Sequence, residues 1–132
     1  MSIELDFPEF PYEETPVGIT CQQKPWNGVL VRVDQIPFKT GDKVTFHVTV
    51  CSDDTGQTPA VADQGVVNIT ADTTSASYTV PWYGVLDAVT KGSISAYYTL
   101  TPADGSAPST SQDALVQYSR QQRDGTVCGP DN

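Results

Sequence analysis

Basic residues are scarce in this chain. Seven Lys and Arg stand against sixteen Asp and Glu, for a formal net charge of −9. A phosphate backbone would be repelled, so nucleic acid is not an expected partner. Long apolar runs are missing as well. None approaches the roughly 18 residues that a membrane span requires, so membrane insertion is not expected. The start, Met1-Ser2-Ile3-Glu4-Leu5-Asp6, has neither the basic nor the apolar region of a Sec signal peptide. Three placements stay open: cytoplasmic, exported by a leaderless route, or a fragment of something larger.

Catalytic raw material is equally thin. His47 is the only histidine. Nucleophilic catalysis needs a nucleophile, a base and an orienting group, and no such constellation can be read here. There is no Gly-rich phosphate loop and no Cys-x-x-Cys pair, which leaves a zinc site little support. Asp53, Asp54, Asp63 and Asp104 are the acids that could approach calcium between loops. No Asp-x-Asp-x-Asp-Gly loop accompanies them, and solvated turns are the better reading. The expectation is a protein without catalytic residues, metal or cofactor. Glutamate is absent after Glu14, and the later acids are aspartates at turn-like positions. Asp tolerates turn geometry and caps its own backbone.

What is present is period-two alternation. In Gly41-Asp42-Lys43-Val44-Thr45-Phe46-His47-Val48-Thr49-Val50 a turn runs into alternating Val44, Phe46, Val48 and Val50. In Gly92-Ser93-Ile94-Ser95-Ala96-Tyr97-Tyr98-Thr99-Leu100 the alternating set is Ile94, Ala96, Tyr98 and Leu100. Such alternation marks half-buried strands. Seven strands are expected, at 17–22, 28–34, 43–51, 65–70, 75–80, 93–101 and 112–119. With turn signals between them and no amphipathic helix, they imply an all-β antiparallel sandwich. Val44, Phe46, Val48, Ile94, Ala96, Tyr98 and Val116 should share its core. The division is an acidic, Pro-rich arm at 1–16, the sandwich at 17–120 and a tail at 121–132. Within the arm, Ile3, Leu5 and Phe7 alternate and could add a strand to an exposed edge, in this copy or another. A solvated leader is the competing reading.

His47 shares one strand face with Lys43, Thr45, Thr49 and Cys51, and that face should be exposed. Cys51 lies about 13 Å from His47 along a strand, too far for direct proton transfer. Trp26, Trp82, Tyr83 and Tyr97 are the candidate ligand-binding residues, because flat rings in loops can stack on sugars. The competing reading plugs both tryptophans into the ends of the core. Of the four, Tyr97 is the one whose exposure is expected, because it lies opposite the inward set Ile94, Ala96 and Tyr98. Trp26-Asn27-Gly28-Val29-Leu30 also weakly matches Trp82-Tyr83-Gly84-Val85-Leu86. The cysteines are Cys21, Cys51 and Cys128, so one internal bridge is possible. Cys21–Cys128, just outside the first and last strands, is the favoured pair; Cys21–Cys51 is the alternative.

Gly41-Asp42, Val80-Pro81-Trp82-Tyr83, Gly92-Ser93 into Tyr97-Tyr98-Thr99-Leu100, Asp104-Gly105 and the Ser-rich stretch 109–116 follow one another in order. This series, over roughly residues 25–119, resembles the immunoglobulin-like modules of large surface and secreted proteins of Gram-negative bacteria. The resemblance implies an immunoglobulin-like sandwich of about seven strands at the cell surface or outside the cell. It implies a spacer, adhesive or binding unit without shared catalytic residues. The cysteines, the arm and the tail depart from such modules. The expected function is non-enzymatic binding or adhesion, with a protein or glycan partner met by the end that carries Trp82 and Tyr83. The alternative is a self-assembling structural subunit that uses the arm as an added strand.

Overall fold

The computed structural model describes residues 8–11, 18–34, 36–121 and 124–130. Seven strands follow in order: β1 (Val29–Val33), β2 (Lys43–Cys51), β3 (Pro59–Asn68), β4 (Ala76–Val80), β5 (Lys91–Thr101), β6 (Ser109–Thr110) and β7 (Ala114–Ser119). β1 and β4 form one antiparallel sheet, with Val29 opposite Val80 and Val33 opposite Ala76. The second sheet runs β3-β2-β5 and continues into β6 and β7, which pair with successive parts of β5. The chain is an all-β sandwich.

The alternation fixes the register. Val44, Phe46, Val48 and Val50 lie opposite Leu100, Tyr98, Ala96 and Ile94. All eight are buried, as is Val116 on β7. A one-residue slip would move every one of these side chains to the outer face, so burial locks the pairing. Phe46 is fully enclosed, with the rings of Tyr78 and Tyr98 each 6.2 Å from its own. Gly65 is required where β3 passes the β4 sheet. A Cβ there would lie 2.2 Å from Cε1 of Tyr78, so any side chain would displace the ring.

Several expectations are corrected. The first strand at 17–22 is not formed as read. Ile19 bridges to Tyr118 of β7 in parallel, and Cys21–Gln23 turns into a 3₁₀ helix capped by Thr20. β3 begins at Pro59 rather than at Gly65. Pro is tolerated at the first residue of an edge strand, so its turn signal did not end the ladder. The face of β2 that carries His47 is not open throughout. His47 stacks on Tyr97 with ring centroids 4.5 Å apart, and Cys51 is fully buried. The cover over Cys51 is the 52–58 loop, which folds back onto β5 and β7. Ser93 Oγ donates to Asp53 O at 2.7 Å and Gln117 Nε2 to Asp54 O at 2.8 Å. Burial, reinforced by Asp53, pushes the Cys51 thiol up.

The arm is only partly described. Glu9 and Arg32 exchange backbone hydrogen bonds of 2.7 and 2.9 Å, and Phe10 is buried. These residues therefore pack on β1 rather than standing in solvent. Ile3, Leu5 and Phe7, the expected added strand, lie outside the described residues.

Candidate functional site

The register gathers four segments at one end of the sandwich. β1 starts there, β2 and β4 end there, β5 starts there and β7 ends there. The end is therefore built from 20–28, 52–58, 81–90 and the described tail, 124–130. The two Trp-x-Gly-Val-Leu segments meet here, since Pro25–Asn27 and Leu86–Ala88 are 3₁₀ turns in contact.

The centre of this end is Arg120, a buried cation at the close of β7. Its guanidinium donates to three backbone carbonyls: Nε to Val89 O at 3.2 Å, Nη1 to Cys128 O at 3.0 Å and Nη2 to Asp87 O at 3.2 Å. The same group lies 4.8 Å from the ring centroid of Trp82. A planar, five-donor fork suits this task, which an ammonium could not reproduce. Beside it, Tyr118 Oη donates to Leu86 O at 2.8 Å. Burial pushes the Tyr118 phenol up to about 12. The Cys21–Cys128 disulfide, Cα–Cα 6.1 Å, ties the tail to the first loop. Its pairing is the favoured one, and Cys51 is free.

On this base the 81–85 turn projects outward. Asp87 N donates to Trp82 O at 3.0 Å, and the Asp87 carboxylate accepts Gly84 N at 2.9 Å. Gly84 takes φ 79° with nothing within 4 Å of where a Cβ would lie, so the glycine serves the turn's backbone and not its packing. Tyr83, at the tip, is 81% exposed. The neighbouring loop holds a cleft of about 350 Å³ lined by Gln22, Gln23, Lys24, Asn27 and Gly28. Lys24 adopts a left-handed φ of 50°, a strained choice for a side-chain-bearing residue. A second cavity, about 480 Å³, lies under the 52–58 loop among Ser52, Asp54, Lys91, Gly92, Gln117, Tyr118 and Ser119.

The four candidate aromatics therefore separate. Tyr83 is on the surface. Trp82 is buried beneath Arg120, so it supports the turn and does not offer its face to a ligand. Trp26 is partly buried and packed against the core. Tyr97 is half-buried on the sheet, stacked on His47, and is not the most exposed of the set. Arg120, Asp87 and Lys24 were not singled out from the sequence. Nothing in it shows that a cation just past a strand will turn inward, or that Lys24 will be left-handed.

The aspartates serve turns. Asp53 accepts from Thr55, Gln57 and Thr58, and the Thr55 hydroxyl is the largest cause that lowers its carboxyl to about 2. Among the described residues no group of three or more His, Cys, Asp or Glu could hold a metal ion. No helix there is long and apolar enough to cross a membrane. No protein-family model matches this chain, and no curated protein or solved structure is significantly similar to it.

Proposed function

We propose that this chain is a non-enzymatic binding module of immunoglobulin-like type, which meets a protein or glycan partner through the end built on Arg120. The fold reading is supported by strand order. β3-β2-β5-β7 in one sheet and β1-β4 in the other match the C′CFG and BE pairings of that sandwich, with Ile19 bridged in parallel to the last strand. One observation carries the functional reading: Tyr83 stands 81% exposed on a turn held by Trp82, Arg120 and a disulfide-tied tail. An aromatic on a rigid turn offers contact area at small entropic cost. The amide-lined cleft at the same end of the sandwich supplies donors and acceptors suited to hydroxyls.

The test is a glycan array run with the native chain and with Tyr83→Ala. Binding that disappears in the variant, with the melting temperature unchanged, supports the site. Binding that is unaffected removes it.

A second reading keeps the arm as an added strand. The outer edge of β3, ten residues long, is unpaired among the described residues and carries one charge, Asp63. Such an edge accepts extended segments. Light scattering of chains carrying Leu115→Lys, with and without residues 1–7, tests it, and assembly that survives the deletion in that background refutes it.

A further inference from the structure

The strands of the larger sheet carry no carboxylate on their outer face, in a strongly acidic chain, and the charges they do place there are Lys43 and Lys91 at its two ends. The positions that point outward on β3 are Ala60, Ala62, Gln64, Val66 and Asn68. Across them stand Thr45, His47 and Thr49 on β2, then Ser95, Tyr97 and Thr99 on β5. These outward positions hold no carboxylate, although the chain has sixteen. Lys43 sits one row beyond Thr45; Asp113, next to Ala114, lies at the rim level with Tyr97, and the 52–58 loop with Asp53 and Asp54 borders Leu115, whose Cδ1 is 3.1 Å from where a Cβ on Gly56 would lie. Depletion of charge around an aromatic centre is the compositional mark of an interface core.

The face also has a two-fold arrangement. One row reads Leu115, Ser95, Thr49, Ala62, the next has Tyr97 beside His47, and the third reads Thr110, Thr99, Thr45, Val66. Leu115 and Val66, 47% and 50% exposed, occupy opposite corners. The stacked Tyr97–His47 pair lies midway between them. From strand spacing and rise the corners are about 20 Å apart.

We infer that this face pairs with a second copy of the same chain, isologously. An in-plane two-fold axis through the Tyr97–His47 stack sets Leu115 of each copy on Val66 of the other. That operation is the one a closed dimer uses. Charge favours this occupant. Two copies, each at −9, repel through any acidic surface and can approach through this one. Area sets the strength. Four strands by the length of β5 cover roughly 500–600 Å² per copy, at the small end of specific interfaces. The dimer is therefore weak, forming at micromolar concentration, and it tightens as salt screens the remaining repulsion.

Sedimentation equilibrium of the full, oxidised chain from about 5 to about 500 μM, at about 20 and about 150 mM salt, tests this. The expected result is a mass rising toward twice that of the monomer, more steeply at the higher salt. Leu115→Lys and Val66→Glu should each weaken association about tenfold or more. The double variant should recover most of it, because the introduced ammonium of one copy then meets the introduced carboxylate of the other across the axis. Leu115→Lys lowers the net negative charge, so a non-specific charge effect would have the opposite sign. Far-UV circular dichroism checks folding, and Ala62→Lys replaces any variant that does not fold. A monomer at every concentration, or a dimer indifferent to Leu115→Lys, overturns the interface. Failure of the double variant to recover overturns the two-fold arrangement.

Discussion

Replacing Arg120 by methionine keeps the length and apolar stem of the side chain and removes its charge and donors. Three carbonyls, Asp87 O, Val89 O and Cys128 O, then lose their partner. They are backbone groups and cannot leave with the side chain. A buried acceptor left unsatisfied costs about 1–3 kcal/mol. The stack on Trp82 adds up to about 2 kcal/mol when desolvated. Against this, the variant no longer has to desolvate a guanidinium, and a buried cation without a facing carboxylate carries a penalty of several kcal/mol. The offset is partial, because the three bonds already meet most of the cation's demand for hydration. The net loss should be about 3 kcal/mol, read as a lowered urea midpoint at unchanged slope. Arg120→Lys should lose about half as much, since one ammonium cannot reach three diverging carbonyls in fixed geometry. Hydrogen exchange gives the location: 81–90 and 124–130 should lose protection while the centre of β2 and β5 keeps it. A loss below about 1 kcal/mol, or a loss of protection spread evenly over the sheets, would refute the view that Arg120 braces this end.

Phe46→Ala should cost about 3–5 kcal/mol in denaturant melts, because the ring is fully enclosed between Tyr78 and Tyr98. Cys21 and Cys128 are 107 residues apart, so the loop-entropy relation gives their bridge about 4.8 kcal/mol. Cys21→Ser with Cys128→Ser should show a loss of that order, and peptide mapping without reductant that finds Cys51 bridged would contradict the pairing. Tyr118 has a phenol raised from 10.0 to about 12, so the unfolded chain ionises first and stability drains away as pH rises from about 10 to about 12. Tyr118→Phe should lose about 1–3 kcal/mol at neutral pH by orphaning Leu86 O, yet show a flatter alkaline limb in a pH series of melts.

The sheets were legible because burial and backbone period coincide in them. Val44, Phe46 and Val48 announce their face, and their partners Leu100, Tyr98 and Ala96 announce the same face independently. β3 was harder. Its outward set is Ala, Ala, Gln, Val and Asn, which separates poorly from the inward Val61, Asp63, Gly65 and Val67. Asp63 faces inward because the Tyr78 hydroxyl donates to it, a pairing between strands that sequence spacing does not reveal. The end of the molecule was half legible. Pro81 and Gly84 mark a turn that carries aromatics. The exposure of Tyr83 against the burial of Trp82 depends on where Arg120 aims, and that is set by the close of β7 and the disulfide together.

The placement of acid connects these features. Asp53, Asp72, Asp104 and Asp124 each accept hydrogen bonds in loops, from the hydroxyls of Thr55, Thr40, Ser106 and Thr126 and from nearby backbone N–H groups. These bonds favour the ionised form and hold all four carboxyls below the usual range. The loops thus use aspartate to satisfy their own backbone, and in doing so they concentrate negative charge at the two ends and rims of the sandwich. Strand positions have no such need, because the ladder already satisfies the backbone, and β2, β3 and β5 fill their outer face with Thr, Ser, Ala and Gln. A sheet face whose strands carry no carboxylate, between acidic ends, follows directly from this chemistry. The charge that keeps the ends solvated therefore leaves the strands of this face as a surface where repulsion between copies is low.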